Sequence, residues 1–346
     1  MKTHIIVDQL EEKLSQLELI VPEFCSRNSL KSAGLSCMMV IPEVCAALGI
    51  FASVVPTPYG GSCKAGDLLS KDLLQIYDFL VAPQDCCGTS SGNDILRFQV
   101  PKGHGEDASV ELHNEHKKIL SQCGAIDIES IDASILASWS REYNDLRRTV
   151  RGISGARKSK PHLLTHENLA IVFEASLALP PQIVLPLLKD LLDALHKGDE
   201  KAHMNIPAMI NGSRDMKWSE VDKIETLGFL IEEDDACKGR RNFDLSVNPD
   251  SQYLYYELLD SASYRPYCSC VRNSEERYEL LYKMLGNHGI ETVIFSQDLC
   301  QCREKQSDDL RIRLMRSGID PLVYSGKQDV LIEYVEHSRV VIADEL

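Results

Sequence analysis

Two blocks of the sequence alternate between short apolar runs and helical patterns, and a long segment between the blocks contains no such runs. In the first block, Pro and Gly bound strand-length apolar runs at 37–41, 50–55, 79–82 and 96–100. Apolar runs of this kind are typical of buried parallel strands. Helical patterns at 42–48 and 65–77 separate some of them, and Pro42 suits a first helical turn. This alternation predicts a first α/β lobe at residues 34–106, after an N-terminal helical segment at 1–33.

The segment 107–200 carries helical periodicity alone, which predicts helices at 108–123, 131–150, 166–178 and 181–196 and a loop at 152–161. Alternation of strands and helices resumes near residue 206, so a second α/β lobe is expected at 201–346. The predicted fold class is therefore α/β, with two doubly wound parallel-sheet lobes of the Rossmann or flavodoxin type and a helical insertion between them.

Length and cysteine content narrow the class of protein. A chain of 346 residues with 44% hydrophobic content can bury a sizeable core. No apolar run approaches the roughly 20 residues needed to span a bilayer, and the polar start does not resemble a signal peptide. We therefore expect a cytoplasmic protein without membrane partners. In that reducing compartment, the 12 cysteines are buried thiols, metal ligands or redox groups rather than assumed disulfides.

The charge balance excludes several partners. A net charge of −15 repels phosphate backbones, so nucleic acid is not expected to bind. The densest basic stretch, 147–160, is interpreted as a solvated face. Residues 152–159 lack the glycine that precedes the lysine of a phosphate loop, and no Gly-x-Gly-x-x-Gly follows a strand. The chain should neither hydrolyse ATP nor bind NAD.

A weak internal repeat links the two lobes. Residues 77–87 and 290–300 each contain an apolar strand followed by Gln-Asp and then cysteine. Because ligands of open α/β sheets sit beyond the carboxyl ends of the strands, these cysteines are candidates for one cleft between the lobes.

Several motifs together resemble the 2-hydroxyacyl-CoA dehydratase family, which includes benzoyl-CoA reductase subunits. They are the stretch Leu35–Glu43 with Ala46–Gly49, Cys63, the strand-end Cys86, Cys237-x-Gly239-x-Arg241, Pro266-x-Cys268-x-Cys270, and Val293–Phe295 leading to Cys300. The similarity extends over most of the chain and is densest from Asn211 to Tyr324. The order and spacing of these motifs are more specific to the family than any single motif is.

The resemblance implies a [4Fe-4S] cluster held by Cys63, Cys86 and Cys300, with one iron open to a non-protein ligand or substrate. It implies an oxygen-sensitive lyase that eliminates water from a 2-hydroxyacyl-CoA through a ketyl radical. It also implies a related second subunit, or self-association, and a separate ATP-driven iron-sulfur activator. The alternatives are a benzoyl-CoA reductase-type subunit and a non-catalytic, cluster-carrying electron-transfer subunit.

Other cysteines leave alternatives open. The repeat aligns Cys87 with Cys300, whereas the family pattern favours Cys86. The pairs Cys268-x-Cys270 and Cys300-x-Cys302 are an alternative zinc site, although paired Cys-x-x-Cys knuckles are absent from the sequence. Cysteines on apolar helix faces are interpreted as core residues: Cys25, Cys45 and Cys123.

Four polar residues have both a functional and a structural interpretation. Arg240 and Arg241 are either phosphate ligands for coenzyme A or members of surface ion pairs. Glu43 is either a proton-transferring carboxylate or a first-turn residue that suits the helix dipole. His104 is a metal ligand or a solvated loop residue. The structural interpretation is preferred for each.

Overall fold

The fold is described from a computed structural model of the chain. The structure describes residues 2–38, 40–56, 69, 71–84, 94–101, 105–124, 128–199, 205–212, 217–264, 274–296, 301–324 and 330–336.

Two helices occupy most of the N-terminal helical segment predicted at 1–33. They are α1 (Lys2–Ser15) and α2 (Leu17–Asn28), and they meet at Gln16. The buried Leu10, Leu14 and Leu17 continue the apolar spacing across the break. Periodicity alone therefore could not reveal it.

The first sheet contains four parallel strands in the order β2-β1-β3-β4. The strands are β1 (Lys31–Leu35), β2 (Ile50–Val54), β3 (Phe79–Pro83) and β4 (Ile95–Phe98). Helix α3 (Pro42–Ala47) connects β1 to β2, a 3₁₀ helix at Lys71–Gln75 precedes β3, and α4 (Glu106–Gln122) follows β4.

The strand predicted at 37–41 is wrong, because β1 lies earlier and reads Lys-Ser-Ala-Gly-Leu. Several residues in β1 are small because a neighbouring side chain packs closely against the strand, and the local sequence does not reveal that contact. A Cβ on Gly34 would lie 2.7 Å from Cδ2 of the buried Tyr77 ring. The first sheet therefore begins inside the segment that the sequence assigned to N-terminal helix.

The helical layer follows a short 3₁₀ helix at Ile128–Ser130 and contains α5 (Ala133–Ser159), α6 (His166–Ala178) and α7 (Pro181–Lys197). The loop predicted at 152–161 is wrong, because α5 continues through it to Ser159. Gly152 lets α7 approach closely, since a Cβ there would lie 3.1 Å from Leu192. At the other end of α5, the Asp132 carboxylate accepts a 2.8 Å hydrogen bond from the Ser134 amide.

The second sheet repeats the topology of the first, with four parallel strands in the order β6-β5-β7-β8. They are β5 (Ile206–Asn211), β6 (Phe229–Asp235), β7 (Thr292–Ser296) and β8 (Asp320–Tyr324). Its helices are α8 (Trp218–Thr226), a 3₁₀ helix at Arg240–Phe243, α9 (Leu254–Ser263), α10 (Ser274–His288), α11 (Gln301–Arg316) and a helical stretch at 330–336. The predicted two-lobed α/β class is confirmed.

The internal repeat has a structural basis, because β3 and β7 hold equivalent positions. Each is the third strand of its sheet in the chain and pairs with the first strand. Aligning residue 77 with residue 290 also aligns the bounds of β3 with those of β7.

The core is distributed unequally between the lobes. One continuous apolar cluster joins the first lobe to the helical layer and includes Phe243, Leu254 and Leu258 from the chain between β6 and β7. Two smaller clusters lie around the second sheet.

The domain limits near 33, 106 and 200 stay predictions. None of the helices in the described part of the chain is long and apolar enough to cross a membrane.

Candidate functional site

Each sheet has a topological switch point, where its strand order reverses. This point lies between β1 and β3 in the first lobe and between β5 and β7 in the second. Ligands of doubly wound sheets bind at such points. The predicted ligands Cys86 and Cys300 follow β3 and β7 in the chain.

The predicted cluster ligands Cys63, Cys86 and Cys300 lie outside the described residues, as do the alternatives Cys87, Cys268 and Cys270 and the loop residue His104. Cys302 lies on α11, but its side chain is not described. Their assignments stay predictions. Within the described ranges, no group of three or more His, Cys, Asp or Glu side chains is arranged to hold a metal ion.

Asp235, the last residue of β6, gathers donors from three separate segments. Its Oδ1 accepts a 3.0 Å bond from Nη1 of Arg241, and its Oδ2 accepts a 3.1 Å bond from Nδ2 of Asn211 at the end of β5. Arg277, in the first turn of α10, also donates to Oδ2. All four side chains are buried. This network therefore joins the ends of β5 and β6 to the start of α10.

The turn after β6 explains the motif Cys237-x-Gly239-x-Arg241. The Asp234 carboxylate accepts hydrogen bonds from the amides of Ala236, at 3.1 Å, and Arg240, at 3.2 Å. A Cβ on Gly239 would lie 1.4 Å from Oδ1 of Asp234, so only glycine fits without rearrangement. Burial raises the pKa of Asp234 to about 6, although the two amide bonds oppose the rise.

Arg240 and Arg241 are both engaged within the protein. Arg240 pairs with Glu233, and Arg241 pairs with Asp235. The ion-pair interpretation is therefore right in kind. The prediction of a surface ion pair is wrong for Arg241, because its side chain is buried.

A cavity of about 340 Å³ opens beside this turn, at the carboxyl end of β6. Its lining comes from the turn, from the residues that follow it and from the end of α9: Arg241, Asp244, Leu245, Ser246, Asp260, Ser261 and Tyr264. Six of these seven residues carry a polar side-chain group, and Arg241 connects the lining directly to the Asp235 network.

Glu43 lies beyond β1, in the first turn of α3, and is completely buried. Its Oε1 lies 2.6 Å from Nη2 of Arg147 on α5, whose guanidinium is 5.7 Å from the Tyr143 ring centre. His116 Nε2 accepts a 2.9 Å bond from the Ile41 amide and so holds the start of the same helix. Glu43 is therefore a buried partner of Arg147 and does not face an open cleft.

The basic stretch at 147–160 is not simply a solvated face. Arg147 and Arg157 are 4% and 1% exposed, and each pairs with a carboxylate on a distant element. Arg148, between them, is exposed as expected. The interpretation fails for the two buried arginines because their partners, Glu43 and Glu225, are remote in sequence.

The three cysteines interpreted as core residues are buried: Cys25, Cys45 and Cys123. Burial raises the pKa of Cys25 to about 12 and that of Cys123 to about 11, and it also raises the pKa of Cys45. Their burial confirms the core interpretation.

Sequence reasoning missed Asp235, Asn211 and Arg277. A sequence signal was present for Asp235 and Asn211, because each is a polar residue at the carboxyl end of a strand that begins with apolar residues. Arg277 had no local signal, since it resembles any other charged residue on an amphipathic helix.

A comparison with protein families gives one match. The family model of the 2-hydroxyglutaryl-CoA dehydratase D-component matches residues 78–340, which is well over half of the chain. This range contains Cys86 and Cys300 but not Cys63. Among curated proteins, none matches the sequence. The chain belongs to the 2-hydroxyglutaryl-CoA dehydratase D-component family.

Proposed function

We propose that this protein is the iron-sulfur component of a 2-hydroxyacyl-CoA dehydratase, a lyase that eliminates water from a 2-hydroxyacyl-CoA to give the enoyl-CoA. The family match over residues 78–340 carries this proposal. The finer proposal is that one-electron reduction of the thioester carbonyl gives a ketyl radical, which expels the 2-hydroxyl. Loss of a proton and return of the electron complete the elimination.

The donor set suits an iron-sulfur cofactor. Cys63, Cys86 and Cys300 would hold a [4Fe-4S] cluster through three thiolates, as soft iron-sulfur sites require. The equivalent positions of β3 and β7, each followed in the chain by a candidate ligand, support this choice. When bound, the cluster would supply an electron and a Lewis-acidic iron.

The described residues have supporting roles in this proposal. Asp235 keeps the ends of β5, β6 and α10 together, and the Asp234 carboxylate shapes the turn beside the cavity. Both hold the backbone at the carboxyl ends of the strands and are assigned no contact with substrate. Glu43 holds Arg147 in the core and is assigned no proton transfer, because its carboxylate is completely buried.

The proposed partners are a related second subunit, or a second copy of the chain, and an ATP-driven iron-sulfur activator. The absence of a phosphate-loop sequence supports a separate source of low-potential electrons. A cytoplasmic and oxygen-sensitive enzyme is proposed accordingly.

The test is iron and acid-labile sulfide analysis of protein purified without oxygen. About four irons per chain are expected, as in a cubane cluster. The Cys300→Ser variant should lose most of this iron. Cys25→Ser is the matched control, because the Cys25 thiol is buried and donates to the Lys31 carbonyl, at 3.8 Å, and this variant should keep the iron.

Full iron content in Cys300→Ser would contradict the ligand assignment. Zinc in the purified protein would favour the alternative site at residues 268–302. Anaerobic assays with 2-hydroxyacyl-CoA and with benzoyl-CoA, each with activator, then test the reaction. Reduction of the aromatic ring would contradict the dehydratase proposal, and binding of an acyl-CoA to the isolated chain would count against the non-catalytic alternative.

A further inference from the structure

The first lobe buries a set of polar side chains where α3 packs against α5. Three of them, Ser140, Tyr143 and Arg147, follow one another at spacings of three and four residues and so share one face of α5. The fourth is Glu43 in the first turn of α3, whose Oε1 lies 2.6 Å from Nη2 of Arg147. None of the four is more than 5% exposed. We call these four residues the α3–α5 polar cluster.

Each member of the cluster has a buried polar atom without a hydrogen-bond partner among the residues that the structure describes. The atoms are Oε2 of Glu43, Oγ of Ser140, Oη of Tyr143 and Nη1 of Arg147. Buried polar atoms in folded proteins nearly always have a partner. Leaving four of them unsatisfied in one place would cost a large share of the stability of an ordinary domain. A small polar ligand that completes these bonds is therefore expected.

The protonation state of Tyr143 makes its hydroxyl a donor. Burial raises the pKa of Tyr143 well above its usual 10.0, and the charge of Glu43 raises it further, whereas the charge of Arg147 opposes the rise. The phenol therefore keeps its proton. The cluster offers O–H groups from Ser140 and Tyr143, an N–H group from Arg147, and the acceptor Oε2 of Glu43.

This mixture of donors and an acceptor selects the kind of ligand. A cation would meet the Arg147 guanidinium, which repels it. An anion would meet the Glu43 carboxylate, and it would leave Oε2 without a donor. Water can accept from the hydroxyl and guanidinium groups and donate to the carboxylate at the same time. Only a neutral molecule of this kind satisfies every atom.

We propose that the α3–α5 polar cluster is an internal water site, in which bound water accepts hydrogen bonds from Tyr143 and Arg147 and donates one to Oε2 of Glu43. Ser140 bonds to the same water or to a second one. Buried waters make about three hydrogen bonds to groups of this kind. The water supplies solvation to an ion pair that has left solvent, which such a pair requires in order to remain in the core. It also fixes the start of α3, the helix that follows β1.

A crystal structure of the protein purified without oxygen is the direct test. We expect water density at about 2.6–3.2 Å from both Oε2 of Glu43 and Oη of Tyr143. A cluster whose four atoms bond only to other protein atoms would overturn the proposal. An ion in the same place, identified by its anomalous scattering, would also overturn it.

Stability measurements supply a second arm whose sign is diagnostic. Tyr143→Phe keeps the ring, which lies 5.7 Å from the Arg147 guanidinium, and removes only the hydroxyl. If that hydroxyl binds water, the equilibrium constant for unfolding should rise about fivefold. An unsatisfied hydroxyl would give the opposite sign, because its removal relieves a desolvation cost. Ser140→Ala tests the same sign at a second position.

Tyr256→Phe is the matched control, because Tyr256 is 66% exposed and its hydroxyl has solvent available. This variant should change the equilibrium constant less than about twofold. Exchange of chloride for acetate and of sodium for choline, at constant ionic strength, tests for a bound ion. The exchange should shift wild type and Tyr143→Phe equally, since an ion in the cluster would stabilise wild type alone by mass action.

Three solution results would contradict the water site. They are a Tyr143→Phe variant at least as stable as wild type, equal losses in Tyr143→Phe and Tyr256→Phe, and a loss of stability on ion exchange in wild type alone. None of these results bears on the iron content that tests the dehydratase proposal.

Discussion

The two lobes share a strand order but differ in how they join the helical layer. The first lobe and the layer form one continuous apolar cluster. The second sheet has separate apolar clusters around it, and ion pairs that are buried or partly buried connect its lobe to the same layer, beside the apolar contacts of Phe243 and α9. These pairs are Arg157 with Glu225, Lys238 with Glu174, and Lys158 with Glu232 and Glu233.

This difference shows how one topology can be attached in two ways. An apolar interface depends on area and shape, and it tolerates small shifts. A buried ion pair requires a particular geometry, because a charge that loses its partner keeps its desolvation cost. The second lobe should therefore be the more sensitive to substitution of charges and to pH.

Breaking the Arg157 pair should have the largest effect. The Arg157 guanidinium pairs with Glu225 and donates a 2.7 Å bond to the Ile231 carbonyl, while the carboxylate of Glu225 also accepts from the Ile231 and His166 amides. Arg157→Met should lower the free energy of unfolding in urea by about 3–5 kcal/mol, because Glu225, whose side chain is 14% exposed, then keeps a mostly buried charge without its ion-pair partner.

Two controls sharpen this prediction. Arg148→Met removes an exposed pair with Asp145 and should cost less than about 1 kcal/mol. The double variant Arg157→Met with Glu225→Met should recover part of the loss, since no lone charge remains. Equal losses in the exposed and buried variants would contradict the proposed role of buried charge.

Alanine substitutions at one glycine in each lobe allow a comparison of close packing in the two lobes. Gly239→Ala would bring a Cβ against the Asp234 carboxylate, whereas Gly34→Ala would bring one against the Tyr77 ring. Each should cost about 1–3 kcal/mol by overpacking. Gly239→Ala should cost more, because its contact is closer and disturbs a buried carboxylate. Urea unfolding measures both, and the reverse ranking would show that the turn after β6 adapts more easily than β1.

The pH dependence of stability should reflect His166, which lies beside the Arg157 pair. Burial, together with the Arg157 charge, holds the pKa of His166 well below its usual 6.5. As the pH falls, His166 is therefore protonated at a higher pH in the unfolded state than in the folded state. The free energy of unfolding should fall as the pH drops below about 6.5, by up to about 1.4 kcal/mol per pH unit.

His166→Phe keeps a ring against Trp218 and should remove this part of the slope. Asp234 acts with the opposite sign, because its pKa is raised to about 6 and its protonation relieves a cost as the pH falls. The difference between wild type and His166→Phe from pH 6.5 to 5 isolates the histidine. Identical slopes would contradict its contribution.

The smallest expected effect is an increase in stability from a substitution in α5. Gly155 lies inside α5, and a Cβ there meets no atom within 4 Å. Gly155→Ala should therefore raise the free energy of unfolding by about 0.5–1 kcal/mol, since glycine is the poorer helix residue. The matched Gly152→Ala variant should not gain as much, because it approaches Leu192. Thermal or urea unfolding distinguishes the two.

Several elements were predictable because their signals are local. Strands β2, β3 and β4 lie where runs of apolar residues predicted them, within a residue or two. The helices of the insertion followed from their periodicity. Strand β1 did not follow, because its small residues reflect the neighbouring Tyr77 ring.

The candidate site was predictable in kind but not in detail. The sequence supplied the turn motif after β6 and the candidate ligands Cys63, Cys86 and Cys300, whose assignment stays a prediction. It did not reveal that Asp235 would receive Arg277, because the two residues are 42 positions apart.

By itself, the sequence determined the two alternations of strand and helix, the helical segment between them, and the order of the cysteines. These follow from periodicity and composition, which each segment carries alone. Only the tertiary structure decided which charges are buried and which core receives α9. Arg157 and Glu225 are separated by 68 residues, and their pairing depends on how α5 and α8 pack rather than on the sequence around either one.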